Sequence, residues 1–519
     1  MKHILSVLFI IATFTFTVNL NAETSLSTAD KVEQHQTTET TQLDSNDLID
    51  YAVYESDHAQ DHSAHALPAL WSVFPFVLLL FMIATGPLFY GHFWHKFYPH
   101  IAFFLAALVI AYYQFVIHST GHIIHSFFEY LSFISLLTAL YVSAGGILIK
   151  IDKKGTPKTN ALLLIFGAAL ANIVGTTGAS MLLIRPFMRL NKGRIKVYHV
   201  IFFIFMVSNV GGSLTPIGDP PLFLGFLKGI PFEWTLFHVW PYWFFGIGIL
   251  AVVFYFFDRR NKEEVDEVYT GKIKITGLRN VGFLVITIIA VFIDPNVIEL
   301  PSWAYITHDG AKLSYLRELI MFNTAFLAFK TSDKVALKGN DFNFEPILEV
   351  AFIFVGIFFT MMPALQLIGN FAGSETGASY ITADTLYWMT GGLSGVLDNA
   401  PTYLNFLSAG MGKLGLDVGN IKHVHGFVES TVTPNDESFG YLLVISISSV
   451  FFGAMTYIGN APNFMVKAIA EQNGLEMPSF VAYIVKYSLP ILLPVLFITW
   501  LFIELMINFV NDTAHGFFL

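Results

Sequence analysis

The chain has 519 residues, of which 54% are hydrophobic, 16% aromatic and 13% charged, and its formal net charge is −10. Soluble domains carry about 25% charged residues, so this composition excludes an ordinary soluble domain and indicates a polytopic membrane protein. The chain has no cysteine, which excludes disulfides, thiolate metal sites and cysteine nucleophiles.

The first 66 residues predict two segments ahead of the membrane domain. Residues 1–22 combine Lys2, an apolar run and Ala22, a pattern typical of a signal peptide cleaved after Ala22. Residues 23–66 form an acidic tail, in which residues 23–61 hold ten acids and one base. Its polar composition predicts disorder. An uncleaved first helix is the alternative, and either case places the tail on the periplasmic side of an inner membrane.

Residues 67–510 are predicted to form an all-α transmembrane transporter domain. An apolar run of about 20 residues is long enough to span a bilayer. Ten such runs occur, near 67–90, 99–118, 126–149, 198–227, 236–257, 279–296, 314–330, 345–368, 440–470 and 481–509.

Two further apolar stretches, 160–184 and 384–410, are predicted as re-entrant hairpins. Cytoplasmic loops of membrane proteins are enriched in Lys and Arg. The loops 150–158, 185–196, 259–279 and 330–338 hold four, five, six and three such residues. Basic loops flank 160–184 at both ends, so this stretch is expected to enter and leave on the cytoplasmic side, and 384–410 on the outer side. An ordinary span at 160–184 is the alternative.

Two related motifs predict broken helices. Ser208–Phe223 and Thr456–Phe464 share Thr-x-Ile-Gly-[Asp/Asn]-x-Pro-x-Phe, which aligns Asp219 with Asn460. Such an interruption frees backbone groups that lipid cannot satisfy, so it survives only where it lines a cavity. With one hairpin before each motif, the chain predicts an inverted repeat, the first copy at about 126–257 and the second at about 345–509, around a midplane transport site. Ordinary proline kinks are the alternative.

Polar residues at these interruptions are the candidates for ion binding. Asp219 and Asp398 lead them, because carboxylates at membrane depth are costly and usually mark ion or proton paths. Oxygen-rich sites suit a hard cation such as Na⁺. The further oxygens come from Asn172, Thr176, Asn209, Thr215, Asn399, Thr456 and Asn460. Helix capping is the alternative for any single Asn or Thr. Glu349, one helical turn deeper than Glu345, is a candidate for proton relay, with an interfacial position as the alternative.

The motifs resemble the ion transporter superfamily, and most closely its NhaD-like sodium/proton antiporters and related citrate transporters. The resemblance covers about residues 67–509. It rests on residues 171–186, 208–223, 345–350, 393–402 and 458–463. It implies a central site between two hairpins and two unwound helices, in a homodimer. Typical antiporters have Asp-Asn at the first hairpin tip, where this chain has Ala171-Asn172.

The sequence therefore favours a secondary sodium/proton antiporter that exchanges Na⁺ for H⁺. The alternative is a Na⁺- or H⁺-coupled transporter of citrate, a dicarboxylate or an arsenite-like anion. The sequence has no His-Glu-x-x-His, nucleophile elbow or Walker loop, so we expect no enzymatic activity. We expect no cofactor or metal beyond the transported ions, membrane lipid and a second copy of the chain as partners, and no nucleic acid.

Overall fold

The computed structural model describes residues 67–263, 271–308, 311–430 and 437–517. The predicted signal peptide and acidic tail lie outside these residues. In the described part of the chain, nine helical segments are long and apolar enough to cross a membrane. This confirms a predominantly helical, multi-pass membrane protein.

The elements follow one another as helices with a few short strands. The helices are α1 (Phe74–Phe89), α2 (Gly91–Tyr112), α3 (Thr120–Gly145), α4 (Pro157–Leu190), α5 (Val197–Met206), α6 (Pro220–Lys228), α7 (Phe232–Arg259), α8 (Leu278–Val291), α9 (Leu316–Thr331), α10 (Lys334–Gly339), α11 (Glu345–Gly373), α12 (Glu375–Tyr380), α13 (Ala383–Ser394), α14 (Asn399–Lys413), α15 (Ile421–Val428), α16 (Glu437–Phe451), α17 (Ala461–Gln472), α18 (Phe480–Tyr483) and α19 (Leu493–Phe517). The strands are β1 (Leu148–Ile151), β2 (Ile273–Thr276), β3 (Tyr305–His308) and β4 (Ala311–Ser314).

Helix α4 is a hairpin that folds back on itself at Gly175. A straight helix of its 34 residues would be about 51 Å long. Instead, the side-chain amides of Asn160 and Asn191, near its two ends, donate to each other at 2.8 and 2.9 Å. Gly175 makes the turn with φ 76°, a left-handed conformation that glycine adopts without strain. The segment therefore enters and leaves at the same end of the molecule, as the basic loops predict.

Helices α13 and α14 form the second hairpin, joined by residues 395–398. Its two ends also meet, because Nζ of Lys413 donates to the carbonyl oxygen of Ile381 at 2.9 Å. The following helix α15 lies beside the end of α6, where Ile421 packs closely against Gly229. The base of the first hairpin is instead held to the end of α7, through a hydrogen bond from Asn160 to Asp258. The two hairpins thus approach the centre from opposite ends.

The two predicted broken helices are both broken in the structure. Between α5 and α6 the chain leaves the α-helix after Met206, forms a 3₁₀ turn at Val210–Leu214 and resumes at Pro220. Between α16 and α17 it forms a 3₁₀ turn at Phe452–Met455 and resumes at Ala461. A proline at the first or second helical position has no N–H to lose and fits a helix start. The motif therefore ends one helix and begins another.

Two strand pairs and a short helix depart from the predicted spans. Strand β1 pairs with β2 in antiparallel register, from Leu148 opposite Thr276 to Ile151 opposite Ile273, and joins two basic loops. Strands β3 and β4 form a second antiparallel pair. The run predicted at 279–296 is helical only over α8, because the chain turns at residues 294–297. These pairs leave the helical architecture intact.

Candidate functional site

The centre of the molecule is organised around the buried carboxylate of Asp219, which is 1% exposed. The Thr176 hydroxyl and the Asn460 amide donate to its Oδ1 at 2.7 and 2.9 Å. The Asn399 amide donates to its Oδ2 at 2.5 Å. These donors come from the first hairpin, the second broken helix and the second hairpin. Sequence analysis predicted all four residues, and the structure brings them into direct contact.

The donors around Asp219 are uncharged. Among the described residues, no Lys or Arg side chain forms an ion pair with Asp219. A buried carboxylate without a positive partner is costly. The arrangement therefore favours either a bound cation or a proton at Asp219.

Asp219 and Asn460 occupy equivalent places in the two broken helices. Asp219 has φ −144° and ψ 144°, and Asn460 has φ −153° and ψ 139°. Each residue immediately precedes the resumed helix. The sequence alignment of the two motifs therefore corresponds to the same backbone conformation, and the acid and the amide meet across the centre.

A second contact between the broken helices joins Asn209 to Asn463. The Asn209 amide donates to Asn463 Oδ1 at 2.7 Å and to the Ile204 carbonyl oxygen at 2.8 Å. Asn209 is 0% exposed, and its Oδ1 has no hydrogen-bond partner among the described residues. Buried polar atoms are usually satisfied, and an unpaired amide oxygen suits a hard cation. Asn209 is therefore the amide best placed to add a ligand.

Asn172, Thr215 and Thr456 support the unwound backbone. Asn172 Oδ1 accepts from the Leu214 N–H at 2.8 Å, and the Thr215 hydroxyl donates to the Asn172 carbonyl oxygen at 2.6 Å. Thr456 Oγ1 accepts from the N–H groups of Ile458 and Gly459 at 3.2 and 3.1 Å. These contacts replace backbone bonds that the broken helices lose. Direct ion binding by these three residues stays a prediction.

The turn of the first hairpin lies at Gly175, within the polar tip 171–180 that the sequence predicts. Helix resumes at Thr176 in the first hairpin and at Asn399, after Asp398, in the second. Thr176 and Asn399 both donate to Asp219, so Gly175 occupies the place of Asp398. The interpretation that Ala171 replaces a tip carboxylate is corrected, because Ala171 lies one helical turn before the bend and is 0% exposed.

Four helices begin at the centre and line one cavity of about 540 Å³. The second arm of α4 begins at Thr176, α6 at Pro220, α14 after Asp398 and α17 at Ala461, and these four residues all lie on the cavity wall. A helix N-terminus carries about half a positive elementary charge. Four such ends make the inner part of the cavity favourable for an anion, even though side-chain carboxylates lie nearby.

The cavity leads from these helix ends to the loop before α11. Asp341, Asn343 and Glu345 line its mouth and are exposed. This loop follows the basic segment 330–338, so the mouth lies toward the end of the molecule predicted to be cytoplasmic. Glu349 also lines the cavity, beyond Glu345, and is partly exposed. It does not contact the Asp219 cluster, and its role as a proton relay stays a prediction.

The helical membrane fold, the paired hairpins and the central cavity are features of a membrane transporter. A family model described as "Putative citrate transport" matches residues 64–503. The match covers most of the chain, which therefore belongs to this transporter family. No curated protein matches the chain. The match supports the ion-transporter resemblance, and it favours the carboxylate alternative over the NhaD-like antiporter.

Two site features escaped the sequence prediction. The Asn209–Asn463 contact could have been suspected from the alignment of the two motifs. Asn209 aligns with Val450 of the second motif, and Asn463 aligns with Leu222 of the first. An amide that replaces an apolar residue in one repeat only is a signal for a contact between repeats. Arg185 was counted in a basic loop and within motif 171–186, with no role at the site, whereas it lines the cavity. Sequence spacing gives no direct sign of that orientation.

Proposed function

We propose that the protein is a secondary transporter that moves a carboxylate such as citrate across the membrane, coupled to Na⁺ or H⁺ bound near Asp219. The observation that carries this proposal is the convergence of four helix N-termini on one cavity wall. In transporters with broken helices, such ends face anionic substrate groups, while unwound carbonyls bind the coupling cation. The family match supports the same substrate class.

The acidic side chains that line the cavity explain why carboxylate transport would be coupled to a cation. Asp341, Glu345, Glu349 and Asp398 line it, so a polycarboxylate alone would meet repulsion. A cation at Asp219 and Asp398, with the free Oδ1 of Asn209 as a further ligand, lowers that repulsion. Carboxylate and amide oxygens are the ligands that a hard cation such as Na⁺ prefers. Substrate and cation therefore favour each other's binding.

Sodium/proton exchange is the second candidate function, and the charge of the cavity favours it. Four carboxylates line the cavity, and Arg185 is the one Lys or Arg among the described lining residues. In this mechanism Na⁺ and H⁺ compete for Asp219 and Asp398, so that each ion excludes the other. Glu349 would pass protons between the mouth and the site.

The arrangement in the membrane is part of the proposal. The two hairpins and two broken helices form an inverted repeat, with residues of about 126–257 and 345–509 as its copies. The basic loops face the cytoplasm, and the N-terminal tail lies in the periplasm of a cell whose inner membrane holds the protein. We further propose a homodimer, as the family resemblance implies.

Everted membrane vesicles distinguish the two candidate functions. Vesicles with an internal acid pH, reported by a fluorescent dye, receive NaCl first and citrate second. Under the carboxylate proposal, labelled citrate accumulates and its flux depends on the Na⁺ or H⁺ gradient. A pH change on NaCl addition alone, with no citrate flux under any gradient, supports exchange and overturns carboxylate transport.

A further inference from the structure

Arg185 is a buried guanidinium on the wall of the cavity. It lies in the second arm of α4, ten residues beyond the turn at Gly175, and is 8% exposed. Its Nη2 lies 3.3 Å from Oδ2 of Asp341, its one ion-pair partner among the described residues. Arginine has five N–H donors in a planar fork that matches a carboxylate. Most of this donor capacity is therefore left for a ligand in the cavity.

The partner of Arg185 is easily displaced. The Asp341 side chain is 74% exposed, so water replaces its contact with Arg185 at little cost. Its backbone has φ 46°, in the left-handed region, within a loop that is otherwise firmly held. The preceding Asn340 is 3% exposed and donates to the carbonyl oxygens of Gly145 and Ile147 at 2.9 and 2.6 Å. The loop thus fixes Asp341 at the mouth without enclosing its carboxylate.

We infer that Arg185 is a capture site for the carboxylate substrate, which displaces Asp341 and binds the guanidinium before it moves to the central site. This inference rests on the proposed carboxylate transport. A guanidinium binds a carboxylate through two parallel hydrogen bonds, which are stronger than bonds between neutral groups. Arg185 is also the one Lys or Arg among the described residues that line a cavity holding four acids.

The position of Arg185 separates capture from coupling. Arg185 lies ten residues beyond the turn, so its Cα is about 15 Å along the helix from the hairpin tip. The Arg185 guanidinium contacts Asp341 at the mouth, whereas Thr176, at the other end of this arm, contacts Asp219. Arg185 therefore affects the binding of a carboxylate that enters through this mouth, and leaves the affinity for the coupling cation unchanged.

The test compares Arg185→Gln with Arg189→Gln in proteoliposomes that contain the full chain. Arg189 lies one helical turn further along the same arm, is exposed and is not among the cavity-lining residues. We expect Arg185→Gln to raise the KM for labelled citrate, presented at the mouth side, at least about tenfold. The half-saturating cation concentration, measured at saturating citrate for each variant, should stay at the wild-type value. Arg189→Gln should leave both quantities unchanged.

Asp341→Asn should change the KM for citrate in the opposite direction from Arg185→Gln. It removes the carboxylate that competes with the substrate for Arg185, so the KM for citrate should fall below the wild-type value. It also keeps the test decisive if Arg185→Gln fails to insert. A wild-type KM in Arg185→Gln, or in Asp341→Asn if Arg185→Gln fails to insert, overturns the capture site alone. Absence of citrate flux in the wild-type protein overturns the proposed function, and the capture site with it.

Discussion

Replacing Asp219 by Asn removes the central charge while it keeps the shape of the side chain. The amide retains one oxygen that can accept from Thr176 and Asn460, and its new NH₂ group faces Asn399 in place of Oδ2. The Asn399 amide can turn to present its own oxygen to that group. Loss of an uncompensated buried charge also lowers the cost of insertion. We therefore expect Asp219→Asn to fold and insert normally.

The effect on cation binding should be large. A cation held about 4 Å from a carboxylate in a partly polar site gains about 4 kcal/mol of Coulomb energy. Loss of that energy corresponds to roughly a thousandfold decrease in cation affinity. Asp398→Asn should be less severe, because Asp398 is partly exposed and its carboxylate accepts from the backbone of Ala400, whereas Asp219 receives three side-chain donors.

The assay is uptake of labelled citrate into proteoliposomes at increasing Na⁺ concentration and at two pH values. Asp219→Asn should lose saturable cation dependence, and the double variant Asp219→Asn/Asn460→Asp should regain part of it. The double variant keeps the net charge and moves the carboxylate to the equivalent backbone position. A wild-type half-saturating cation concentration in Asp219→Asn would refute the role of this carboxylate.

Three further predictions concern topology, stability and the tail. Single cysteines at Lys154 and Lys192, both exposed, should react with an impermeant reagent from the same side of the membrane, whereas labelling from opposite sides contradicts the hairpin. Asp258→Ala should lower the Tm in detergent markedly, by the equivalent of about 3–5 kcal/mol, because it leaves a buried cluster without its acid. Asp258 is 0% exposed and accepts hydrogen bonds from three side chains. The control Glu263→Ala removes an exposed ion pair and should change the free energy of unfolding by less than about 1 kcal/mol. An equal loss in both variants would contradict this role. Deletion of residues 23–61 with the signal retained should leave transport intact, and loss of uptake at normal expression would assign the tail a direct role.

Much of the architecture follows from local rules that a sequence displays. Basic loops on both sides of one apolar stretch predicted the first hairpin, and the Asn160–Asn191 contact confirms that its ends meet. Gly and Pro in two related motifs predicted the breaks after α5 and α16. These features are readable because lipid tolerates neither charged loops nor unsatisfied backbone groups.

Features that depend on side-chain orientation could not be predicted in this way. The pairing of Ala171-Asn172 with Asp398-Asn399 was wrong, because the two pairs resemble each other in sequence while Gly175 provides the left-handed backbone of the turn. Likewise, an arginine beside a membrane segment usually reports topology, and only its packing places Arg185 on the cavity wall. Three-dimensional packing decides which polar groups share a site.

The central claim is tested most directly by measuring carboxylate and cation fluxes together in one preparation of proteoliposomes. Labelled citrate and labelled Na⁺ are followed at fixed voltage, with a dye for internal pH, in wild-type protein and in Asp219→Asn. Coupled transport predicts that citrate moves in the same direction as Na⁺ or H⁺, and that Asp219→Asn abolishes this coupling. Exchange of Na⁺ for H⁺ at full rate with no citrate flux would contradict the account.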